Sequence, residues 1–148
     1  MDFNSILVLC TGNICRSPMA EALLCQGLEQ AGKSLPVVTS AGIAAIVGYS
    51  ASDFAQQLMM SRGLDISGHR ATQLVPDMLL QTDLVLVMEK GQQQAVERMQ
   101  PAARGRVFRL GEWREFDIPD PYRQSIEVYN QVLSMIDQGV SDWMERIS

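Results

Sequence analysis

"SILVLCTGNICRSP", residues 5–18, runs from an almost unbroken apolar segment into a glycine-containing loop and then to a proline. A short apolar run that stops at a glycine loop is how a strand buried on both faces of a parallel sheet reads. Directly after it, Ser17 is suited to cap a helix and Pro18 to its first position, where the missing N–H costs nothing. Ala20, Leu23, Leu24 and Leu28 follow at helical spacing, and Gly32 can end the helix. Strand, loop and helix in that order predict a parallel α/β unit with Cys10 at the strand's carboxyl end.

Working outward, "PVVTSA" (36–41), "DLVLVM" (83–88) and "RVFRL" (106–110) are three further strand candidates. "SASD" (50–53) has the form of a capping box opening a helix through Leu58 and Met59. Ile126, Tyr129, Val132, Leu133 and Ile136 mark a C-terminal helix. Val140, Trp143, Met144 and Ile147 either extend it past Gly139 or form a second one. Strands alternating with helices imply right-handed crossovers and a parallel sheet covered on both faces, a three-layer α/β/α domain. At 148 residues the chain is expected to form one domain, 1–148, with no repeat or interdomain linker. The one long irregular stretch, "GEWREFDIPDPYR" (111–123), is expected to be functional, as long loops in compact domains usually are.

Composition excludes several classes. The 47% hydrophobic and 20% charged residues describe an ordinary globular protein, and a net charge of -5 gives no global attraction to nucleic acid or anionic membranes. No apolar run approaches the roughly 20 residues of a membrane helix, and the start lacks the features of a signal peptide. Three cysteines without a CxxC pair fit a reducing, cytoplasmic setting, and one histidine makes a structural zinc site an unsuitable reading.

The loop after the first strand carries the chemistry. Ligands of open parallel sheets bind beyond the strands' carboxyl ends. A loop there that leads into a helix aims successive backbone N–H groups at one point, with the helix dipole behind them. Residues Thr11 to Ser17 (Thr11, Gly12, Asn13, Ile14, Cys15, Arg16, Ser17) therefore outline an anion site. There is no lysine of the Walker type; instead Arg16 offers a planar fork for two phosphate oxygens. Amides, dipole and arginine that favour a dianion also favour a thiolate at Cys10, and a thiolate facing a bound phosphorus is a nucleophile in place. Asn13 suits a left-handed backbone conformation in a tight loop. A lone Cys-to-Arg pair would more often be a buried hydrophobe and a surface charge. The strand before it, with Gly12, Asn13, Ser17 and Pro18, reverses that reading.

"CTGNICRSP" resembles the phosphate loop of the low-molecular-weight protein tyrosine phosphatases, patterned C-x-G-N-x-C-R-S-P at the N-terminus. An Asp-Pro-aromatic follows near residue 120 in that family, and here Asp120-Pro121-Tyr122 stands there. "TSAG" (39–42) and "GHRA" (68–71) lie at matching places, so the resemblance covers essentially the whole chain. "SAGI", "GEW" and "IPDPYR" are closest to the bacterial exopolysaccharide-associated (Wzb-like) branch.

The resemblance implies strand order 2-1-3-4 and hydrolysis of phosphotyrosine through a phosphocysteine on Cys10, with no metal or cofactor. Asp120 would be the acid that protonates the leaving group and then the base that activates water. An Asp-Pro in a loop is by itself more often a turn; the pairing with the Cys10 loop raises it above Asp117, which lacks the Pro-aromatic context. Ser17 would donate to the thiolate, and Asn13, Ser40 and His69 would form the supporting hydrogen-bond network. Tyr122 would form part of the substrate rim; Arg123 stands where animal members have a second tyrosine. Cys15 matches a cysteine that can pair with the nucleophile in the family, and Cys25 reads as core. The implied partner is a phosphotyrosine protein, in this branch a bacterial tyrosine kinase, acted on by a monomer in the cytoplasm. Protein arginine phosphatases carry threonine where this chain has Ile14. Arsenate reductases need cysteines beyond Cys25, which are absent. A binding module without activity would be expected to lose Cys10, Arg16 or Asp120.

Overall fold

A computed structural model describes residues 3–147. Four parallel strands, β1 (Ser5–Cys10), β2 (Val37–Gly42), β3 (Leu84–Val87) and β4 (Val107–Arg109), form one sheet in the order β2-β1-β3-β4. The order expected from the resemblance holds. Around the sheet lie α1 (Arg16–Gln30), α2 (Asp53–Met60), α3 (Pro76–Leu80), α4 (Lys90–Met99) and α5 (Ile126–Ile147).

Strand alternation divides the core in two. Ile6, Val8 and Cys10 of β1 point to one face and pack with Leu24 of α1, Met59 of α2 and Ile136 and Trp143 of α5. Leu7 and Leu9 point to the other and pack with Leu79 of α3 and Val96 of α4. Both faces are thus apolar, which is why β1 and β3 read as continuous hydrophobic runs rather than alternating ones.

Two glycines let the layers close. A Cβ on Gly42 would come within 2.7 Å of the Thr11 carbonyl oxygen, so only glycine lets the end of β2 approach the loop after β1. A Cβ on Gly139 would lie 2.7 Å from Leu110 Cγ and 2.8 Å from its carbonyl oxygen. Gly139 therefore sits inside one continuous helix, α5, where it admits β4's exit instead of breaking the chain into two helices.

Several local expectations need correction. The first helix begins at Arg16 with Cys15 as N-cap and no side-chain cap, so Ser17 and Pro18 lie within its first turn. The expected capping box at 50–53 does not form: α2 starts at Asp53, its N-cap is Ser52, and the Ser52 hydroxyl bonds Tyr129 instead. The second strand begins at Val37, because Pro36 has no N–H for the ladder. Cys25, read as core, is exposed on α1. Helix α4 was not delineated from the sequence: only Gln92 and Val96 are buried along it, too few to make a stripe. Among the described residues no helix is long and apolar enough to cross a membrane.

Candidate active site

The loop between β1 and α1 is held open from outside. Its carbonyls turn outward and are taken by the segment after β2: Ile43 N bonds Cys10 O at 3.0 Å, Ala44 N bonds Thr11 O at 2.9 Å, Ile46 N bonds Gly12 O at 3.1 Å and Ser52 N bonds Ile14 O at 2.8 Å. A peptide whose carbonyl points out points its N–H in. By that rule the N–H groups of Thr11, Gly12, Asn13 and Cys15 turn inward, Asn13 N reaching the Cys10 sulfur, and those of Gly12, Ile14, Cys15 and Arg16 have no acceptor among the described residues. Such convergent donors ahead of a helix are what an anion satisfies.

At the floor of this cradle, Cys10 Sγ accepts a hydrogen bond from Asn13 N at 3.2 Å and lies 2.9 Å from Ser17 Oγ. The Ser17 oxygen also accepts from Asn13 Nδ2 at 2.7 Å, and its own proton is available to a thiolate at the sulfur. Two donors thus face Cys10, an arrangement that suits a thiolate and a departing sulfur.

Asn13 is fully buried with φ 59°, the left-handed conformation expected for it. Its neighbours explain why it stays there. The Nδ2 group also donates to Ser40 Oγ at 3.0 Å, and Ser40 Oγ donates to Glu21 Oε1 at 2.6 Å. Thr72 N donates to Asn13 Oδ1 at 2.9 Å. His69 Nε2 lies 2.7 Å from the Asn13 carbonyl, which can only accept, so the ring carries its proton on Nε2. Ser40 and His69 thus both touch Asn13, from the side of the loop away from Cys10.

Arg16 is 1% exposed, and its guanidinium is divided by function. Nη1 donates to Glu89 Oε1 and, at 2.8 Å, to the Ile118 carbonyl. Nη2 donates to Thr11 Oγ1 at 3.4 Å, and buried Nε has no partner among the described residues. The side-on fork of Nε and Nη2 is the edge left for a bidentate oxyanion. Glu89 was not singled out from the sequence. It also caps α4 through a capping box with Gln92, whose side chain in turn donates to Thr11 Oγ1 at 3.2 Å. A Glu-x-x-Gln box lacks the usual Ser or Thr at its head, which hid it.

A cavity of about 170 Å³ opens onto the loop, lined by Cys10, Arg16, Ile14, Ile46, Asp120 and Tyr122 among others. Asp120 Oδ1 accepts from Tyr122 N at 3.1 Å, and its Oδ2 faces Arg16. Asp117 is engaged elsewhere: Arg109 Nη1 and Lys90 N both donate to its Oδ1, at 3.0 and 3.1 Å. A wider depression against Ser40, His69 and Arg70 lies behind the loop, but Cys10 does not reach it.

Cys10 and Cys15 are both free thiols. Cys15 Sγ lies 3.1 Å from Tyr129 OH and donates to Ser52 Oγ at 3.5 Å, while Ser52 and Tyr129 hydroxyls meet at 3.0 Å. Burial pushes both the Cys15 thiol and the Tyr129 phenol above their ordinary ranges. Sequence reading saw Tyr129 only as a marker of the C-terminal helix; the thiol that its hydroxyl meets lies 114 residues away.

Comparison with known proteins agrees with this geometry. The family model for "Low molecular weight phosphotyrosine protein phosphatase" matches residues 5–148. The chain is 50% identical over 143 residues to "Probable low molecular weight protein-tyrosine-phosphatase EpsP" of Ralstonia nicotianae, covering 97% of this chain and 95% of that one. It is similar to the tyrosine phosphatase Wzb of Escherichia coli in complex with sulphate, at TM-score 0.90 and 39% identity over 99% of each chain. Wzb of Vibrio vulnificus in complex with benzylphosphonate matches at TM-score 0.89 and 40% identity, covering 97% of this chain and 99% of that one. With matches of this extent in both sequence and structure, the chain belongs to the low molecular weight phosphotyrosine protein phosphatase family.

Proposed function

We propose that the protein hydrolyses phosphotyrosine on proteins by two phosphoryl transfers through Cys10. The observation that carries this reading is a cysteine sulfur facing two donors at the floor of a loop in which the amides of Gly12, Ile14, Cys15 and Arg16 have no acceptor among the described residues. The amides and the Nε–Nη2 fork of Arg16 hold the equatorial oxygens. The Cys10 thiolate attacks phosphorus as the P–O bond to tyrosine breaks. Asp120 delivers its proton to the departing phenolate oxygen. The same carboxylate then takes a proton from water, whose oxygen attacks phosphorus as the S–P bond breaks. The electron pair returns to Cys10, where the Ser17 hydroxyl stabilises it. Inorganic phosphate and tyrosine are the products, and no metal takes part.

Asn13, Ser40 and His69 keep the loop in register, and Tyr122 with Ile14 and Ile46 grips the substrate ring. The finer reading is a single 1–148 domain acting as a cytoplasmic monomer on a bacterial tyrosine kinase tied to exopolysaccharide production; it rests on likeness to the Wzb and EpsP proteins. The test is turnover of a phosphotyrosine peptide against a phosphoarginine peptide, with and without a chelator. Phosphotyrosine is expected to be strongly preferred, the chelator to have no effect, and Cys10→Ser to bind substrate without turning it over. Faster hydrolysis of phosphoarginine, or turnover by Cys10→Ser, would overturn the reading.

A further inference from the structure

The segment after Asp120 is a tight turn with two side chains at its tip. Gln124 N bonds Pro121 O at 2.9 Å, which places Tyr122 and Arg123 at the turn's two central positions. Arg123 adopts φ 63°, a left-handed conformation unusual for a side chain of that size. Backbone strain of this kind persists where the surroundings impose it, and functional loops are where it gathers. The carboxylate of Asp120 accepts from Tyr122 N, so the acid, the aromatic wall and Arg123 belong to one turn.

The consequence is the position of the Arg123 charge. Its guanidinium carbon lies 5.2 Å from the centroid of the Tyr122 ring, and that ring lines the cavity above Cys10. Arg123 is exposed and makes no ion pair with the described residues. Around the rest of the mouth, Ala44 and Ile46 are apolar and Asp120 is acidic. Val47 and Tyr49, next along the chain from Ile46, are 65% exposed and uncharged. An acidic side chain beside the phosphotyrosine would find no attraction on that apolar wall. The unpaired guanidinium on the Tyr122 side answers it, and stacking on the ring limits its rotamers and its hydration.

We propose that Arg123 is a specificity-determining residue that favours phosphotyrosine flanked by an acidic side chain. The inference deepens the phosphatase reading and rests on it. A solvent-exposed ion pair is modest, so the preference is about two- to fivefold in kcat/KM, exerted through KM and weakened by salt.

The experiment compares three peptides sharing one phosphotyrosine, with glutamate, glutamine or lysine beside it, against wild type, Arg123→Gln, Arg123→Lys and Arg123→Glu. Wild type is expected to favour the glutamate peptide, Arg123→Gln to lose the preference, and Arg123→Lys to restore part of it. Arg123→Glu should invert the order toward the lysine peptide. Equal losses on all three peptides would mean that Arg123 only shapes the turn, and would overturn the inference. A wild type that turns over all three at one rate overturns it too, while leaving the phosphatase reading intact. Failure to turn over any of them sinks both.

Discussion

Asp120 Oδ2 lies 3.6 Å from Arg16 Nη2, so the proposed proton donor and the phosphate-binding fork share one wall of the cavity. Cys10 lines the same cavity, so the proposed mechanism has the carboxylate and the sulfur act on one bound phosphoryl group. Removing a general acid costs about a hundredfold to ten-thousandfold in rate. The loss should depend on the leaving group: tyrosine, with a pKa of about 10, needs a proton, whereas an electron-poor phenol departs as its anion. Asp120→Ala is therefore expected to damage phosphotyrosine hydrolysis far more than hydrolysis of an activated aryl phosphate. Asp117→Ala, which loses only contacts to Arg109 and Lys90, should not show this selectivity. Equal losses on both substrates in steady-state assays would assign Asp120 a structural part.

Glu89 is the second test. It binds the one Arg16 nitrogen that faces away from the fork, so its removal leaves a buried cation with the Ile118 carbonyl alone on that side. A hydrogen bond to a charged group contributes about 1.5–3 kcal/mol. Glu89→Ala is expected to lower kcat/KM by about tenfold to a hundredfold on that scale, and to weaken inhibition by inorganic phosphate in parallel. Glu89→Gln should recover part of both. Unchanged phosphate inhibition would show that Arg16 needs no such brace.

The first strand, loop and helix were legible because each rule there points the same way: apolar on both faces, a left-handed asparagine, a cysteine at the strand end. Asp120 was legible only through its company, since an Asp-Pro alone reads as a turn. Ser17 was read both as a cap and, through the resemblance, as the thiol's partner, because both need the same hydroxyl at nearly the same place; distances leave only the second. Glu89 and Arg16 are 73 residues apart, and no local pattern announces a pair that the sheet order creates. Cys25 looked like core beside Leu23 and Leu24, but helical rotation carries it to the outer face.

The Cys15–Tyr129–Ser52 cluster predicts an alkaline weakness. Burial raises the proton affinity of both Cys15 and Tyr129, so the folded state keeps protons that the unfolded chain releases. Their contribution is complete below the ordinary thiol value of about 8.5 and falls as pH rises above it. Thermal unfolding midpoints should therefore decline from about that pH upward. Cys15→Ser, which keeps hydrogen bonding but does not titrate there, should flatten the first part of the decline, and Tyr129→Phe the later part. Parallel curves for wild type and both variants would contradict this.

The most direct test of the chemistry is to look for the bond that Cys10 is proposed to form. The Asp120→Ala enzyme, slow to hydrolyse its intermediate, is mixed with an activated aryl phosphate, quenched in acid within a turnover and digested for mass spectrometry. A phosphoryl group is expected on the peptide carrying Cys10, held by sulfur, and absent when Cys10→Ser is introduced as well. Turnover with no phosphoryl group on Cys10, or with one on another residue, would contradict a phosphocysteine mechanism at this site.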